Sequence, residues 1–198
     1  GIIIKAGTEY TDVPISFNLD KIDKDKNFVL PISIVSTSEY RIGEPKYSTI
    51  LMNVVLSNAY TGTYSLSGTI REVATGDFID VRMTRTLRVV DPFTVSLYAG
   101  NTSERVSNRE NYRMNMTVNA DSTLTFTPLH PDIIEINRDE PNLDPKNPRN
   151  KILVERTVDV QNSHKSYIVT TFYMYYNYID KTDPADPVEM RWEGTCSR

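Results

Sequence analysis

Apolar and polar residues alternate along most of this chain. Val13, Ile15, Phe17 and Leu19 fall on one face of an extended segment, while Pro14, Ser16 and Asn18 take the other. Leu30, Ile32 and Ile34 repeat the pattern, and Ile50, Met52, Val54 and Leu56 do so again. A period of two is the signature of strands whose successive side chains point to opposite faces of a sheet. After Asn58 the alternation continues through Tyr64 to Ile70, Met83 to Val89, Phe93 to Leu97, Tyr112 to Val118, Leu124 to Phe126, Ile152 to Val160, Tyr167 to Ile179 and Val188 to Cys196. In the last run Met190 and Trp192 are placed inward, and Glu189, Arg191 and Glu193 outward. No stretch carries a helical period, so the expected fold class is all-β.

The runs after residue 58 predict an antiparallel meander, joined mostly by short turns, that closes into a lipocalin-like β-barrel or folds into a two-sheet sandwich. The first 58 residues predict about four strands, roughly half of an immunoglobulin-like sandwich. A boundary is therefore expected between residues 1–58 and 59–198, with any free strand edge of the first part covered or engaged in a contact. One segment breaks the rhythm. INRDEPNLDPKNPRNK, Ile136 to Lys151, carries Pro141, Pro145 and Pro148 among many charges and reads as a long loop.

Composition narrows the function classes. Of 198 residues 39% are hydrophobic, enough to build a core, so disorder is not expected. Lys and Arg number 22 against 26 Asp and Glu, a net charge of −4, with no basic cluster of the kind a phosphate backbone requires. Nucleic acid is a poor partner on that count. No window is long and apolar enough for a spanning helix. The opening GIII lacks the length and basic leader of a signal peptide, so any export signal is expected to have been removed or never present. Cys196 stands alone, which excludes an internal disulfide and thiolate metal clusters but does not fix the compartment.

Candidate chemistry concentrates in TTFYMYYNYID, Thr170 to Asp180. Alternation puts Phe172, Met174, Tyr176 and Tyr178 on one face, continued by Ile168, and that face is expected to be core. Tyr173, Tyr175 and Asn177 then point outward. Aromatic rings stack on the C–H faces of sugars while amides take hydroxyl hydrogen bonds, so Tyr173, Tyr175 and Asn177, with Trp192 nearby, form a candidate glycan platform. The competing expectation is that the rings pack on the long loop or on the first domain.

Other motifs carry less. Asp23, Asp25 and Asn27 start like a calcium loop, but Phe28 stands where its Gly belongs and Ile34 where its Glu belongs, so a charged turn is the better account. Glu140, Asn142 and Asp144 have the same spacing with Pro145 in the Gly place. His130 and His164 are the only histidines and belong to no zinc motif. No nucleophile elbow and no nucleotide-binding glycine motif occurs, and nothing singles out a carboxylate pair for glycoside hydrolysis. No cofactor and no catalytic residue is expected.

Ile4, Ala6, Gly7, Val13-Pro14-Ile15, Leu19-Asp20 and Phe28 to Ile32 with Ile34 resemble the closing pattern of DUF1735, an Ig-like domain of exported proteins from gut Bacteroidetes. Tyr47-Ser48-Thr49 and Asn58-Ala59-Tyr60, with Gly62 and Tyr64, look like that domain's last strand and the junction to a second domain similar to DUF4361. The resemblance implies a surface lipoprotein encoded in a polysaccharide-utilisation locus beside SusC/SusD-like outer-membrane transporters, binding or handling glycans. It implies a membrane link only through a lipid anchor absent from this chain. A structural role as a spacer or assembly module docking a protein partner is the alternative.

Overall fold

In the computed structural model, residues 2–5, 7–18, 21, 22, 26, 28–39, 41, 42, 44, 46, 48–137, 149–158, 165–181 and 183–198 are described. The two calcium-loop look-alikes and His164 lie outside these residues. Two sheets form. A hairpin pairs β1 (Phe28–Ser33) with β2 (Thr49–Val54), in register Leu30 to Met52 and Ile32 to Ile50. All remaining strands belong to one antiparallel nine-stranded sheet. They are β3 (Gly62–Glu72), β4 (Phe78–Val89), β5 (Thr94–Tyr98), β6 (Arg113–Val118), β7 (Leu124–Pro128), β8 (Ile134–Asn137), β9 (Lys151–Val158), β10 (Ser166–Asp180) and β11 (Val188–Ser197).

The spatial order is β7-β6-β5-β4-β3-β11-β10-β8, with β9 also on β10. β10 is long enough to serve two partners along one edge. Its first half pairs with β9 through Tyr173–Lys151, and its second half pairs with β8 from Asn177–Asn137 onward. The sheet curls back on itself where β7 meets β9. The Leu124 amide donates to the Asn150 carbonyl at 2.7 Å, and the Ile152 amide donates to the Ser122 carbonyl at 3.0 Å. The result is a nearly closed barrel, in which few strand edges are left without a partner.

Inward positions of the barrel are filled by side chains. Tyr64, Leu66, Ile70, Leu87, Val95, Met114, Met116, Phe126, Ile134, Phe172, Met174, Tyr176 and Trp192 form one core cluster, all buried. Burying an aliphatic side chain of this size contributes on the order of 1.5–3 kcal/mol, so this interior, and no single contact, holds the sheet closed. Arg85 is the charged exception, fully buried and donating to the Gly100 and Thr102 carbonyls at 2.9 and 2.6 Å.

The chain leading into β3 is pinned by one side chain. Asn58 Oδ1 accepts from the amides of Tyr60 and Thr61, both at 2.9 Å, while its Nδ2 donates to the carbonyls of Asp91 and Thr94 at 2.7 and 3.1 Å. That amide ties the chain entering the barrel to the turn between β4 and β5.

Three expectations need correcting, one being that Ile168 continues the core face of β10: it is 67% exposed, in the part of the strand paired only with β9. The Val13–Phe17 run forms no strand, and Val13, Ile15 and Phe17 remain exposed. Alternation provides a face, but a strand also needs a neighbour to pair with, and none of the described residues pairs with this stretch. In the opposite sense, Ile136 belongs to β8 instead of opening the long loop. Four residues give too short an alternating run to stand out from the Pro-rich segment beside it, and β10 supplies the pairing that makes them a strand.

Candidate functional site

The outer face of β10 and β11 is set by their ladder. Tyr173 stands opposite Thr195, Tyr175 opposite Glu193, and Asn177 opposite Arg191. On the far side of β11, Glu193 faces Thr69 of β3 and Arg191 faces Arg71. This surface is therefore a grid of aromatic, amide, hydroxyl and charged side chains over a rigid hydrogen-bonded base.

Tyr173 is partly exposed, as the platform requires. Tyr175 points outward but is only 4% exposed, because the end of the long loop lies over it. The Arg149 guanidinium stands 3.9 Å from the Tyr175 ring centre, and that of Arg191 stands 5.6 Å from it. Such cation–π contacts contribute about 0.5–1 kcal/mol at exposed sites and more where water is excluded.

Asn150 fixes where Arg149 sits. It occupies the gap that β8 and β9 leave along the edge of β10, with a left-handed φ of 50°. Its side-chain Oδ1 accepts the Tyr175 amide at 2.7 Å, satisfying a backbone donor that no strand reaches. Asn is among the few residues that tolerate this backbone conformation while offering a side-chain acceptor.

The polar groups form one connected array. Asn177 donates its amide to Glu189 at 3.0 Å and accepts from Arg191 Nε at 3.0 Å, so both ends of the amide are oriented. Arg149 and Glu193 approach to 3.9 Å, with 28% and 47% of their side chains exposed. At that exposure the pair contributes little to stability, and its groups stay accessible to a solute.

Trp192 is a correction to the platform. It is fully buried on the inner face, where its indole lies against Gly68 and Gly194, and it presents no surface to a ligand. The reason is the alternation that makes Arg191 and Glu193 outward residues. Sequence reasoning missed Arg149, Asn150, Arg191 and Glu193 as members of the site. The outward positions of Arg191 and Glu193 were readable from β11, whereas nothing local tied the loop end to Tyr175.

Among the described residues no three His, Cys, Asp or Glu side chains cluster in a way that could hold a metal ion. No helix among them is long and apolar enough to cross a membrane.

The profile of a protein family described as a "-like, C-terminal" domain matches residues 48–197. No curated protein matches the chain. Several solved structures share its fold. A multidomain protein including DUF1735 from Bacteroides ovatus superposes with a TM-score of 0.62 at 22% identity, over 92% of this chain and 60% of its own. A protein of unknown function from the same species gives 0.61 at 19% identity, over 91% and 60%. An auxiliary nutrient binding protein from Bacteroides thetaiotaomicron gives 0.53 at 17% identity, over 86% and 56%. The chain thus spans 56–60% of the length of these three structures.

Proposed function

Starting from the chain's membership of the "-like, C-terminal" domain family matched over residues 48–197, we propose that it is a non-catalytic, extracytoplasmic protein that binds carbohydrate on the outer face of β10 and β11. One observation carries the reading. A partly exposed Tyr173 and an oriented Asn177 amide stand on the same outward row of β10, about 13 Å apart along the strand, with the Arg149, Arg191 and Glu193 side chains around the Tyr175 ring between them. An oligosaccharide laid along β10 has an apolar sugar face for the tyrosine and, on its neighbouring units, hydroxyls for the amide, guanidinium and carboxylate groups. The nutrient-binding description of a structural neighbour agrees with a solute-handling role.

In the finer form of this reading the protein is a lipid-anchored component of the cell surface or periplasm. Residues 1–58 then act as the remainder of a DUF1735 Ig-like unit and 59–198 as a DUF4361-like domain. It would work in polysaccharide utilisation, next to an outer-membrane transporter. Affinity gel electrophoresis against a panel of polysaccharides tests the binding claim. Retardation by one of them, lost in Tyr173→Ala with the fold retained, supports it, and absence of retardation by any sinks it.

A second reading rests on the β1–β2 hairpin. Val29 and Leu51 share one face of the hairpin and are 58% and 73% exposed, and Ile50 on the opposite face is 62% exposed, an apolar hairpin that favours an assembly module docking a protein partner. Failure of the polysaccharide screen would leave that reading in place.

A further inference from the structure

We propose that the carbohydrate taken by this surface is acidic, carrying carboxylate or sulfate groups; this rests on the carbohydrate reading above and names its ligand class. The argument is one of local charge. The chain as a whole is acidic, at −4. Around Tyr173 and Tyr175 the balance is reversed. Lys151 is paired with Tyr173 across the β9–β10 ladder, Arg149 and Arg191 stand over the Tyr175 ring, and Arg71 follows Arg191 across β11 and β3. Against these cations the described residues of the same rows place Glu193 and Asp80, with Glu189 next to them.

Asp80 accepts from the Thr69 hydroxyl at 3.2 Å, and among the described residues no carboxylate pairs with Arg191 or Arg71. Glu189 accepts from the neutral Asn177 amide. Glu193 is at the outer limit of an ion pair with Arg149, at 3.9 Å. Arg191 donates Nε to Asn177, and among the described residues no carboxylate lies within ion-pair distance of it. Its planar guanidinium retains terminal N–H groups suited to a carboxylate or sulfate, which such a fork holds in bidentate fashion.

Arg71 has a similar arrangement, with its terminal nitrogen on the Gly76 carbonyl and its guanidinium over Phe78. Each of these arginines is thus held in place by neutral groups and keeps its charge available. A neutral glycan would use Tyr173 and Asn177 but leave this excess unanswered. An acidic glycan uses both.

The test is affinity gel electrophoresis and titration calorimetry of the full chain with polygalacturonate, with its carboxyl-reduced counterpart and with polyglutamate. The expected result is binding to polygalacturonate, weakened at least tenfold by carboxyl reduction and by 0.5 M salt, which screens charges beyond a few ångströms. Arg191→Gln and Arg149→Gln should each weaken it about tenfold in a chain whose near-UV circular dichroism shows the fold retained, and Tyr173→Ala should weaken it as well. Equal binding of the reduced polymer overturns the acidic class and leaves the carbohydrate reading standing. Equal binding of polyglutamate, indifferent to Tyr173→Ala, overturns it as mere ion exchange. Binding of polygalacturonate that survives both arginine substitutions overturns the assignment to this face. No binding of either polysaccharide overturns the acidic class, and the wider panel then decides the carbohydrate reading.

Discussion

Gly68 and Gly194 face each other across the β3–β11 ladder, and the ring of Trp192 lies against both. A Cβ built on Gly68 would stand 2.4 Å from the Glu193 carbonyl oxygen and 2.9 Å from the indole, and one on Gly194 meets the Ser67 carbonyl at 2.4 Å. The pair is a slot that lets the largest core side chain lie flat against the sheet. Because two of the blocking atoms are backbone, relief requires the ladder to shift. Gly68→Ala and Gly194→Ala are each expected to destabilise by about 1–3 kcal/mol, the range for overpacking a filled interior. Urea unfolding followed by Trp192 fluorescence measures this. A variant as stable as the parent would show that the slot is not required.

The stacking of Arg149 on Tyr175 should be measurable as a coupling. Arg149→Ala and Tyr175→Leu are each expected to lower stability modestly, and the double variant to lose less than their sum, with a coupling of about 0.5–1 kcal/mol. Additive losses would mean the loop end covers the ring without attraction.

How far the chain could be read depends on whether a residue's fate is set by its own strand. Trp192 inward and Arg191 and Glu193 outward follow from β11's alternation, and Phe172, Met174, Tyr176 and Tyr178 follow in the same way from β10. Tyr175 does not. Its outward direction was legible, but its burial comes from Arg149, which reaches it through a pairing gap that only the closed barrel creates. The same holds for β8, a strand because β10 is long enough to carry it. Val13 to Phe17 shows the converse, a good pattern without a neighbour.

The loop between β5 and β6 carries an acid-sensitive contact. Burial pushes the Glu110 carboxyl up, but the hydrogen bond from Tyr98 at 2.7 Å, the charge of Arg113 and the bond from Arg109 outweigh it and hold it below the usual carboxylate range. A carboxyl that titrates lower when folded stabilises the protein above its unfolded pKa, and that stability is lost as pH falls through the folded value. Glu110→Gln should therefore be less stable than the parent at pH 7, with the gap narrowing as pH falls through and below the ordinary carboxylate range. A gap that stays constant across that range would refute the assignment.

Cys196 is fully buried, and burial pushes its thiol up to about 12. The reactive species is the thiolate, so the folded chain should ignore a disulfide reagent at pH 8 and react only as fast as it opens. Adding urea should raise the labelling rate in step with unfolding. Immediate stoichiometric labelling of the native protein would contradict the burial.

Arg85 tests whether the barrel's interior polar cluster supports the fold or burdens it. Burial lowers its pKa, and Nη2 reaches the Gly100 carbonyl and the Met83 sulfur while Nη1 reaches the Thr102 carbonyl. The Gly100 amide in turn donates to the Tyr176 hydroxyl at 3.0 Å, so the turn after β5 is held from both sides. Gly100 is left-handed, with φ of 57°, and a Cβ there would lie 2.5 Å from the Tyr178 hydroxyl. Arg85→Ala removes the donors and opens a cavity, with an expected loss of about 3–5 kcal/mol. Arg85→Met keeps most of the volume and leaves the carbonyls unpaired, and about 1–3 kcal/mol is expected. The comparison separates the two contributions. If Met restores the parent's stability, the charge is replaceable and the turn is held by Tyr176 and packing alone, as happens for some buried ionic groups. If Met is no better than Ala, the hydrogen bonds to Gly100 and Thr102 fix the turn.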